Sequence, residues 1–516
     1  MLKFRVSEES RPAASWQVSS GYLVGSDGNP VRSEIGFVDG LICCTNRDTG
    51  TVAVVLQTDV DQCGRLLLQT CLLPDREEPY LLNLELARHR IMVLYNKLED
   101  WGMFDMPADH PITRGVEESR KLFIDATCAQ GDDPLKADQL AASALVVATR
   151  TSEALSLGHA DLLLDRRKST ESLPLHPFGC GVALDETYER VRAGMIANFD
   201  FIQLPICWRQ LAPEEGEYRW EPLDQWARWI QRHKIPVVAG PLVSFEPGVV
   251  PDWLFIWEHD YENVRDLVYE YVEEAVKRYR HIVSTWNVVS GLHVNDHFTF
   301  GFEQIMDLTR MASLLVKDLH PGAKVLVELC QPFGEYAGQN QRSIPPLTYA
   351  DLLVQGAVSF DGFALKLLMG QAAPGRHTRD LMQISNLLDQ FGQFGKSLHL
   401  TIGAPSEPVA AYARRPSSKS DQADQSDSGY WRAPWSASIQ GRWMEAVMKI
   451  ALSKPFVESV AWLALVDDVA GEIPSGGLVA QNLQPKGSFK RLVACRRSLM
   501  EPDAAPTAAA APNGPS

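Results

Sequence analysis

Several carboxylates follow or lie within apolar runs in the second half of this 516-residue chain. Glu246 comes directly after "PVVAGPLVSF", and Glu328 lies inside "KVLVELC". Asp296 and Glu407 each come a few residues after a further run. Two carboxyl groups that face one reacting bond can act as a general acid and base, or as an acid and a nucleophile. Whether any two of these meet depends on the elements that carry them.

These residues lie in a region where predicted strands and helices alternate repeatedly. From residue 176 onward, eight short apolar segments alternate with amphipathic helical segments such as "YENVRDLVYEYVEEAVKRYR". This pattern predicts a (β/α)₈ barrel, in which functional residues lie at the carboxyl ends of the strands. A doubly wound sheet would need a glycine-rich phosphate turn after its first strand, and "GCGVALDETYER" lacks one. The predicted fold class is therefore α/β, a TIM barrel. The eight predicted strands are "FGCGVAL", "FDFIQLP", "IPVVAGPLV", "STWNVVSG", "KVLVELC", "DGFALKLL", "LHLTIGAP" and "VAWLALVDD".

The rest of the chain divides into three further parts. Residues 1–80 carry short β-type runs between turn signals and are predicted to form a small β-rich module. Residues 81–175 have helical periodicity and are predicted to connect that module to the barrel, residues 176–497. The Ala/Pro-rich tail, residues 498–516, and the polar insertion "RRPSSKSDQADQSDSG" are predicted to be disordered.

Composition narrows the class of function. A formal net charge of −16 argues against general nucleic-acid binding, which needs clustered cations facing phosphates. Nine cysteines without metal-ligand spacing fit reduced thiols, so no metal and no cofactor is expected. The first residues lack the apolar core of a signal peptide, and no run reaches the roughly 20 apolar residues of a membrane helix. We therefore expect no membrane partner and a cytoplasmic location.

Five stretches of the barrel region resemble glycoside hydrolase family 10, the xylanase-type barrels. "WRQLAPEEGEYRW" is similar to the family's segment after strand two, and "PLVSFEPGVVPDWL" to the segment after strand three. "TWNVVSG" resembles the family's Trp-Asp-Val-Val-Asn-Glu on strand four. "LSKPFVESVAWLALVDD" and "LQPKGSFKRL" resemble strand eight and the closing helix. The resemblance implies a retaining glycosidase fold acting on β-linked glycans such as xylan.

The sequence departs from that family where its catalytic groups would lie. The family's proton donor ends an Asn-Glu pair after strand four, which aligns with Ser290 and Gly291. The family's nucleophile lies on strand seven, where "HLTIGAPSE" places Thr401 in register and Ile402 at the nucleophile position. Neither Gly291 nor Ile402 can donate a proton or form a glycosyl ester. The resemblance thus predicts a barrel that kept its fold after losing its catalytic pair.

Other carboxylates are candidates for a relocated pair, since a retaining site needs two carboxyl groups about 5 Å apart. Loops could bring Asp296 or Glu407 back to the barrel axis, or both could be solvated loop residues. Glu328 could act in catalysis, or it could pair with Lys366 across the barrel mouth as a structural ion pair.

Ligand-binding residues are predicted at the same end of the barrel. The insertion after strand seven ends in "GYWRAPWSASIQGRW", whose aromatic side chains could stack on sugar rings or pack against helices. The expected ligand is a β-linked glycan or another small neutral molecule. The predicted ligand-binding residues are Glu246, Phe245, Trp286, Lys366, Trp431, Arg432 and Trp435.

Three functions remain open from the sequence. The first is a degenerate, non-hydrolytic barrel of carbohydrate metabolism that binds a glycan or acts as a scaffold. The second is an active xylanase-like endo-β-glycanase with relocated carboxylates. The third is a structural or interaction protein that works through its N-terminal module. Two carboxyl groups close together at the strand ends would keep the second function open, whereas their absence would exclude it.

Overall fold

The structure is a computed structural model that describes every residue except 7–17, 19, 47–49, 185–189, 192–193, 195–196, 247, 409–427 and 501–516. None of the helices in the described part of the chain is long and apolar enough to cross a membrane. The strands are β1 (Leu2–Arg5), β2 (Tyr22–Val24), β3 (Pro30–Val31), β4 (Ser33–Val38), β5 (Leu41–Asn46), β6 (Ala53–Val60), β7 (Gly64–Gln69), β8 (Tyr80–Leu81), β9 (Phe178–Gly181), β10 (Phe201–Leu204), β11 (Val237–Ala239), β12 (Val243–Ser244), β13 (Thr285–Ser290), β14 (Lys324–Cys330), β15 (Gly362–Leu368), β16 (Ser397–Gly403), β17 (Tyr430–Trp431) and β18 (Val457–Trp462).

The N-terminal part forms two small sheets. One has the strand order β4-β5-β1-β8 and the other β17-β7-β6-β2-β3. Strands β6 and β7 form the central hairpin of the second sheet, from the Val55–Gln69 pair to the Val60–Gly64 pair. Their valines and leucines are buried because β-branched and leucine side chains pack well on a pleated surface. The predicted β-rich N-terminal region is confirmed.

Three long helices follow these sheets, and eight further helices within the described residues surround or adjoin the barrel. The 36-residue α3 begins at Pro134, where the Asp133 side chain accepts a hydrogen bond from the Lys136 backbone N–H and so caps the helix. The helices are α1 (Leu82–Asp100), α2 (Pro111–Ala129), α3 (Pro134–Ser169), α4 (Trp208–Leu211), α5 (Glu221–His233), α6 (Tyr261–Tyr279), α7 (Phe302–Leu319), α8 (Pro346–Gln355), α9 (Leu381–Gly392), α10 (Ala437–Ser453) and α11 (Gly487–Met500).

Eight parallel strands close into a barrel. Their order is β11-β10-β9-β18-β16-β15-β14-β13, and pairing of β11 with β13 completes the circle. The strands are almost wholly buried, as expected where helices cover the outside and side chains fill the inside. The predicted TIM barrel is confirmed, and all eight predicted segments supply barrel strands.

The third barrel strand is interrupted in a way that positions Glu246. Gly240 follows β11 with a φ of +125°, and a Cβ there would lie 2.1 Å from the Asn287 carbonyl oxygen. Only glycine permits this approach. The chain then resumes as β12, which pairs Val243 with Val289 and Ser244 with Ser290. This register brings Glu246 beside the end of β13.

The barrel and the N-terminal part are joined by buried polar contacts. Strand β17, from the insertion after β16, pairs with β7 and so belongs to the N-terminal sheet. Arg90 on α1 forms a bidentate ion pair with Asp380, which caps α9, at 3.0 and 2.5 Å. Arg379 contacts both Glu335, at 2.6 Å, and the hydroxyl of Tyr22, at 2.9 Å. The two parts therefore share one interior.

Only small parts of the two segments predicted to be disordered lie among the described residues. The tail was expected to begin at residue 498, but α11 continues through Met500, so residues 498–500 are helical and that boundary is corrected. Leu499 packs its side chain into the core, which explains why the helix extends this far. The remainder of the tail and nearly all of the polar insertion lie outside the described residues.

Candidate functional site

The carboxyl ends of the barrel strands carry two glutamates joined by one serine. Ser290, the last residue of β13, places its Oγ 2.8 Å from Glu246 Oε1 and 2.7 Å from Glu328 Oε1. The two carboxylate oxygens are therefore at most about 5.5 Å apart, within the separation typical of retaining glycosidases. Asn287 donates to the other oxygen of Glu328 at 2.7 Å. The structure thus brings two carboxyl groups together.

Lys366 on β15 forms the cationic part of this strand-end network. Its Nζ lies 3.0 Å from Glu246 Oε2 and 2.7 Å from Glu472 Oε1. Arg376 pairs with the other oxygen of Glu472 at 2.8 Å. The predicted pairing of Glu328 with Lys366 is wrong, because the ion-pair partners of Lys366 are Glu246 and Glu472. Lys366 lowers the pKa of Glu328 through its positive charge, without forming an ion pair with it.

The surroundings of Glu246 and Glu328 shift the pKa values of the two carboxyl groups in opposite directions. Burial raises the pKa of Glu328 to about 7, against the opposing charge of Lys366. Burial acts in the same direction on Glu246, but the Lys366 charge and the Ser290 hydrogen bond outweigh it, so the pKa of Glu246 lies below its ordinary value. A hydroxyl carries one proton, so Ser290 can donate to only one carboxylate at a time. A proton on Glu328 supplies the second hydrogen bond, and this is the state that the raised pKa favours.

Glu246 fills the space next to Gly291. Gly291 has a φ of +70°, and a Cβ at that position would lie 3.0 Å from Glu246 Cγ. Gly291 is the position that the sequence motif aligns with the family's proton donor. A carboxylate from the third strand therefore lies where a side chain from the fourth strand would otherwise extend.

The position aligned with the nucleophile is apolar. Ile402 on β16 is fully buried in the core. Its neighbour Thr401 accepts a hydrogen bond from Gln203 Nε2 at 2.8 Å. Neither residue places an ionisable group near Glu246 or Glu328.

The other two predicted carboxylates lie elsewhere. Asp296 is an exposed loop residue that accepts a hydrogen bond from Asn340 Nδ2 at 3.2 Å. Glu407 is exposed beyond β16, where its charge acts on Asp467 and Lys486. The structure does not bring Asp296 and Glu407 together, nor either of them to Ser290. The pair therefore joins Glu328, a predicted catalytic candidate, to Glu246, which was predicted to bind a ligand.

Several predicted ligand-binding residues are enclosed by the protein. Trp286 is fully buried and points away from the barrel axis, since its Nε1 donates to His320 at the end of α7. Phe245 is buried against Phe298, with ring centroids 4.4 Å apart. Their expected contact with a ligand is corrected, because strand sterics and aromatic packing direct both rings into the core.

The aromatic residues of the insertion belong to the join with the N-terminal part. Trp431 is buried and donates to Glu153 Oε1 on α3 at 2.7 Å. Arg432 pairs with the other oxygen of Glu153 at 3.2 Å and lies over the Trp431 ring. Trp435 is buried and donates to the Gly429 carbonyl. The packing alternative is correct for this cluster, because β17 is held by the N-terminal sheet.

Sequence reasoning missed three members of the network. Asn287 was read as part of a strand, Ser290 as a vacated position, and Glu472 was not considered. Glu472 follows β18, and an acidic residue in the last strand–helix loop is the one signal that could have indicated it. Among the described residues, no three His, Cys, Asp or Glu side chains are grouped so that they could hold a metal ion.

The chain is thus a (β/α)₈ barrel protein with two carboxyl groups close together at its strand ends. The family model of glycosyl hydrolase family 10 matches residues 197–303, which include Glu246, Ser290 and Gly291. An endo-1,4-beta-xylanase A from Xylanibacter ruminicola is 29% identical over 99 residues, covering 18% of this chain and 26% of that protein. The chain thus spans about a quarter of the length of this curated relative.

Solved xylanase structures align with the barrel. Xylanase 10B from Thermotoga maritima has a TM-score of 0.47 and 16% identity, with 64% of this chain and 97% of that one covered. A xylanase from Thermobacillus composti has a TM-score of 0.46 and 16% identity, covering 62% and 96%. The match of residues 197–303 to the family model confirms the resemblance inferred from sequence motifs: the chain contains a segment similar to glycosyl hydrolase family 10.

Proposed function

We propose that this protein binds a β-linked glycan at the carboxyl ends of its barrel strands and does not hydrolyse it. One observation carries the proposal: all four carboxylate oxygens of Glu246 and Glu328 already have partners within the protein. Catalysis by retention needs one carboxyl group free to protonate the leaving oxygen and another free to attack the anomeric carbon.

The arrangement between the two glutamates opposes attack on a sugar. In a retaining site the substrate lies between the two carboxyl groups, whereas here the hydroxyl of Ser290 occupies that place and is completely buried. The ammonium of Lys366 also neutralises Glu246, which reduces its nucleophilicity and its ability to stabilise a cationic transition state. The pair is thus held as part of the barrel interior.

Glycan binding is supported by the polar rim above this network. Gln371, Arg376 and Glu472 are partly exposed and hydrogen-bonded to one another. Planar amide, guanidinium and carboxylate groups can donate to and accept from adjacent sugar hydroxyls. The relatives supply the ligand class, since they are xylanases and one solved structure, xylanase 10B from Thermotoga petrophila, holds xylobiose.

The test measures binding and cleavage on the same material. Xylo- and cello-oligosaccharides are titrated calorimetrically, and the mixtures are then chromatographed for products. We expect binding without products, and weaker binding for Arg376→Gln but not for Arg120→Gln, which changes an exposed arginine on α2. Cleavage that is lost in both Glu246→Gln and Glu328→Gln would overturn the proposal.

A second candidate function, glycan hydrolysis by a relocated pair, is favoured by the short separation of Glu246 and Glu328 and by their divergent pKa values. In this alternative Glu328, with a pKa of about 7, is the proton donor and Glu246 is the nucleophile. It requires Ser290 to leave the space between them. Ser290→Ala would then raise the rate of hydrolysis, whereas the non-hydrolytic proposal expects no products from that variant either.

A further inference from the structure

A second cleft lies on the outside of the barrel and shares no residue with the strand-end network. It has a volume of about 500 Å³, within the usual range for a small-molecule site. Its lining comes from α4, from the loop that follows it, from the short 3₁₀ helix at Asp252–Trp257 and from α6. The lining residues are Trp208, Glu215, Gly216, Tyr218, Trp253, Leu267, Glu270, Glu273 and Glu274.

The aromatic side of this cleft is held rigidly. Trp208 stacks on Tyr271 with ring centroids 4.6 Å apart and meets Trp253 edge-on at 5.8 Å. Trp253 is fixed by its Nε1, which donates to the Ala212 carbonyl at 2.8 Å. Tyr218 lies over the same group, 6.3 Å from the ring of Tyr271. Tyr218 and Trp253 remain half-exposed, so aromatic surface faces the cleft without further ordering.

The opposite side of the cleft is acidic and poorly compensated. Glu273 is paired with Lys277 at 2.9 Å, but Glu215, Glu270 and Glu274 have no ion pair within the described part of the chain. Glu270 and Glu274 are four residues apart on α6, a spacing at which like charges destabilise a helix. Burial and then these two carboxylates raise the pKa of Tyr218, which places their negative field at its ring.

Trp208, one of the lining residues, carries a buried indole N–H. Trp208 is 3% exposed, and its indole Nε1 has no hydrogen-bond partner among the residues that the structure describes. A buried indole N–H normally has a partner. The surface of the cleft therefore combines aromatic side chains with carboxylates that have no ion pair among the described residues.

We propose that this cleft binds a small organic cation, an alkylammonium group on a short apolar or hydroxylated stem. Aromatic faces attract such cations through the ring quadrupole, and the carboxylates supply the opposite charge. The volume favours a small molecule over a protein partner, whose interface would need several hundred square ångströms on each side.

Choline is the probe, and its uncharged analogue 3,3-dimethyl-1-butanol is the matched control for shape. Ligand-observed NMR titrations of the whole protein are expected to give saturable choline binding with a dissociation constant on the order of 1 mM. The neutral analogue should bind at least about fivefold more weakly. Equal binding of the two molecules would overturn the proposal, as would the absence of saturable binding.

Two pairs of variants assign the binding to this cleft. Glu270→Gln/Glu274→Gln should weaken choline binding about fivefold or more, whereas Glu99→Gln/Glu118→Gln, two exposed glutamates on other helices with the same change in charge, should leave it unaltered. Tyr218→Phe keeps the π-face and should bind normally, whereas Tyr218→Leu should not. Equal effects within either pair would refute the assignment.

Thermal melts establish that each variant is folded. A lysine-rich peptide that binds about a thousandfold more tightly than choline and depends on the same residues would instead make the cleft a peptide site.

Discussion

Glu246 and Gly291 occupy one space at the barrel mouth: a Cβ on Gly291 would lie 3.0 Å from Glu246 Cγ. The residues come from adjacent strand ends, and the absence of a side chain on one permits the carboxylate of the other. The carboxylate so placed reaches both Ser290 and Lys366. This relationship determines how the network can respond to mutation.

Gly291→Ala is expected to destabilise the protein by about 2 kcal/mol, because a Cβ is unfavourable at a φ of +70° and also presses on Glu246. Gly216→Ala is the control, since Gly216 has a φ of +75° but open space around its Cβ position. We expect a loss of about 1 kcal/mol for that variant. Urea unfolding measures both. Equal losses of stability in the two variants would show that the contact between the added Cβ and Glu246 does not contribute to the destabilisation.

Glu328 should make stability depend on pH. Its folded pKa of about 7 lies above the ordinary glutamate pKa of 4.5, so the folded state binds more protons than the unfolded state between these values. Stability should therefore fall as pH rises from about 4.5 to about 7, by up to about 3 kcal/mol. Glu328→Gln mimics the protonated form and should abolish this part of the decline. Denaturant melts at several pH values measure it, and parallel curves for the variant and the wild type would contradict it.

Lys366→Met should destabilise the barrel by about 3 kcal/mol, because the buried carboxylate of Glu246 then loses its cation. Adding Glu246→Gln should recover part of this loss, since it removes one uncompensated charge. A double-mutant cycle from chemical denaturation provides the coupling energy. Strict additivity of the two single changes would mean that Lys366 and Glu246 act independently.

The N-terminal part and the barrel should unfold together. Arg90→Met breaks the buried bidentate pair with Asp380 and should cost about 3 to 5 kcal/mol while keeping a single transition. Arg120→Met removes an exposed pair with Glu117 and should leave the stability nearly unchanged. Calorimetry distinguishes the outcomes. Two separate transitions in the wild type would show that the shared interior does not couple the two parts.

The barrel could be predicted from the sequence because strand and helix periodicities are local and repeat eight times. The same local pattern identified Trp286, Val288 and Val289 as a buried strand, and the structure agrees. It also placed Glu246 and Glu328 at strand ends, since the carboxyl ends of parallel strands meet at one face. Trp286 was wrongly predicted to contact a ligand. Both faces of a barrel strand are buried and carry apolar residues, so the sequence does not show which side chains point toward the barrel axis.

The contacts between distant residues were decided by tertiary structure alone. Lys366 pairs with Glu246, 120 residues earlier, and with Glu472, whereas sequence reasoning favoured Glu328. The break at Gly240 sets the register that brings Glu246 to Ser290, and no periodicity encodes that distance. Trp431 likewise lies in an N-terminal sheet, because β17 pairs with β7 there. Local pattern determined which elements form, and the packing of those elements determined which side chains meet.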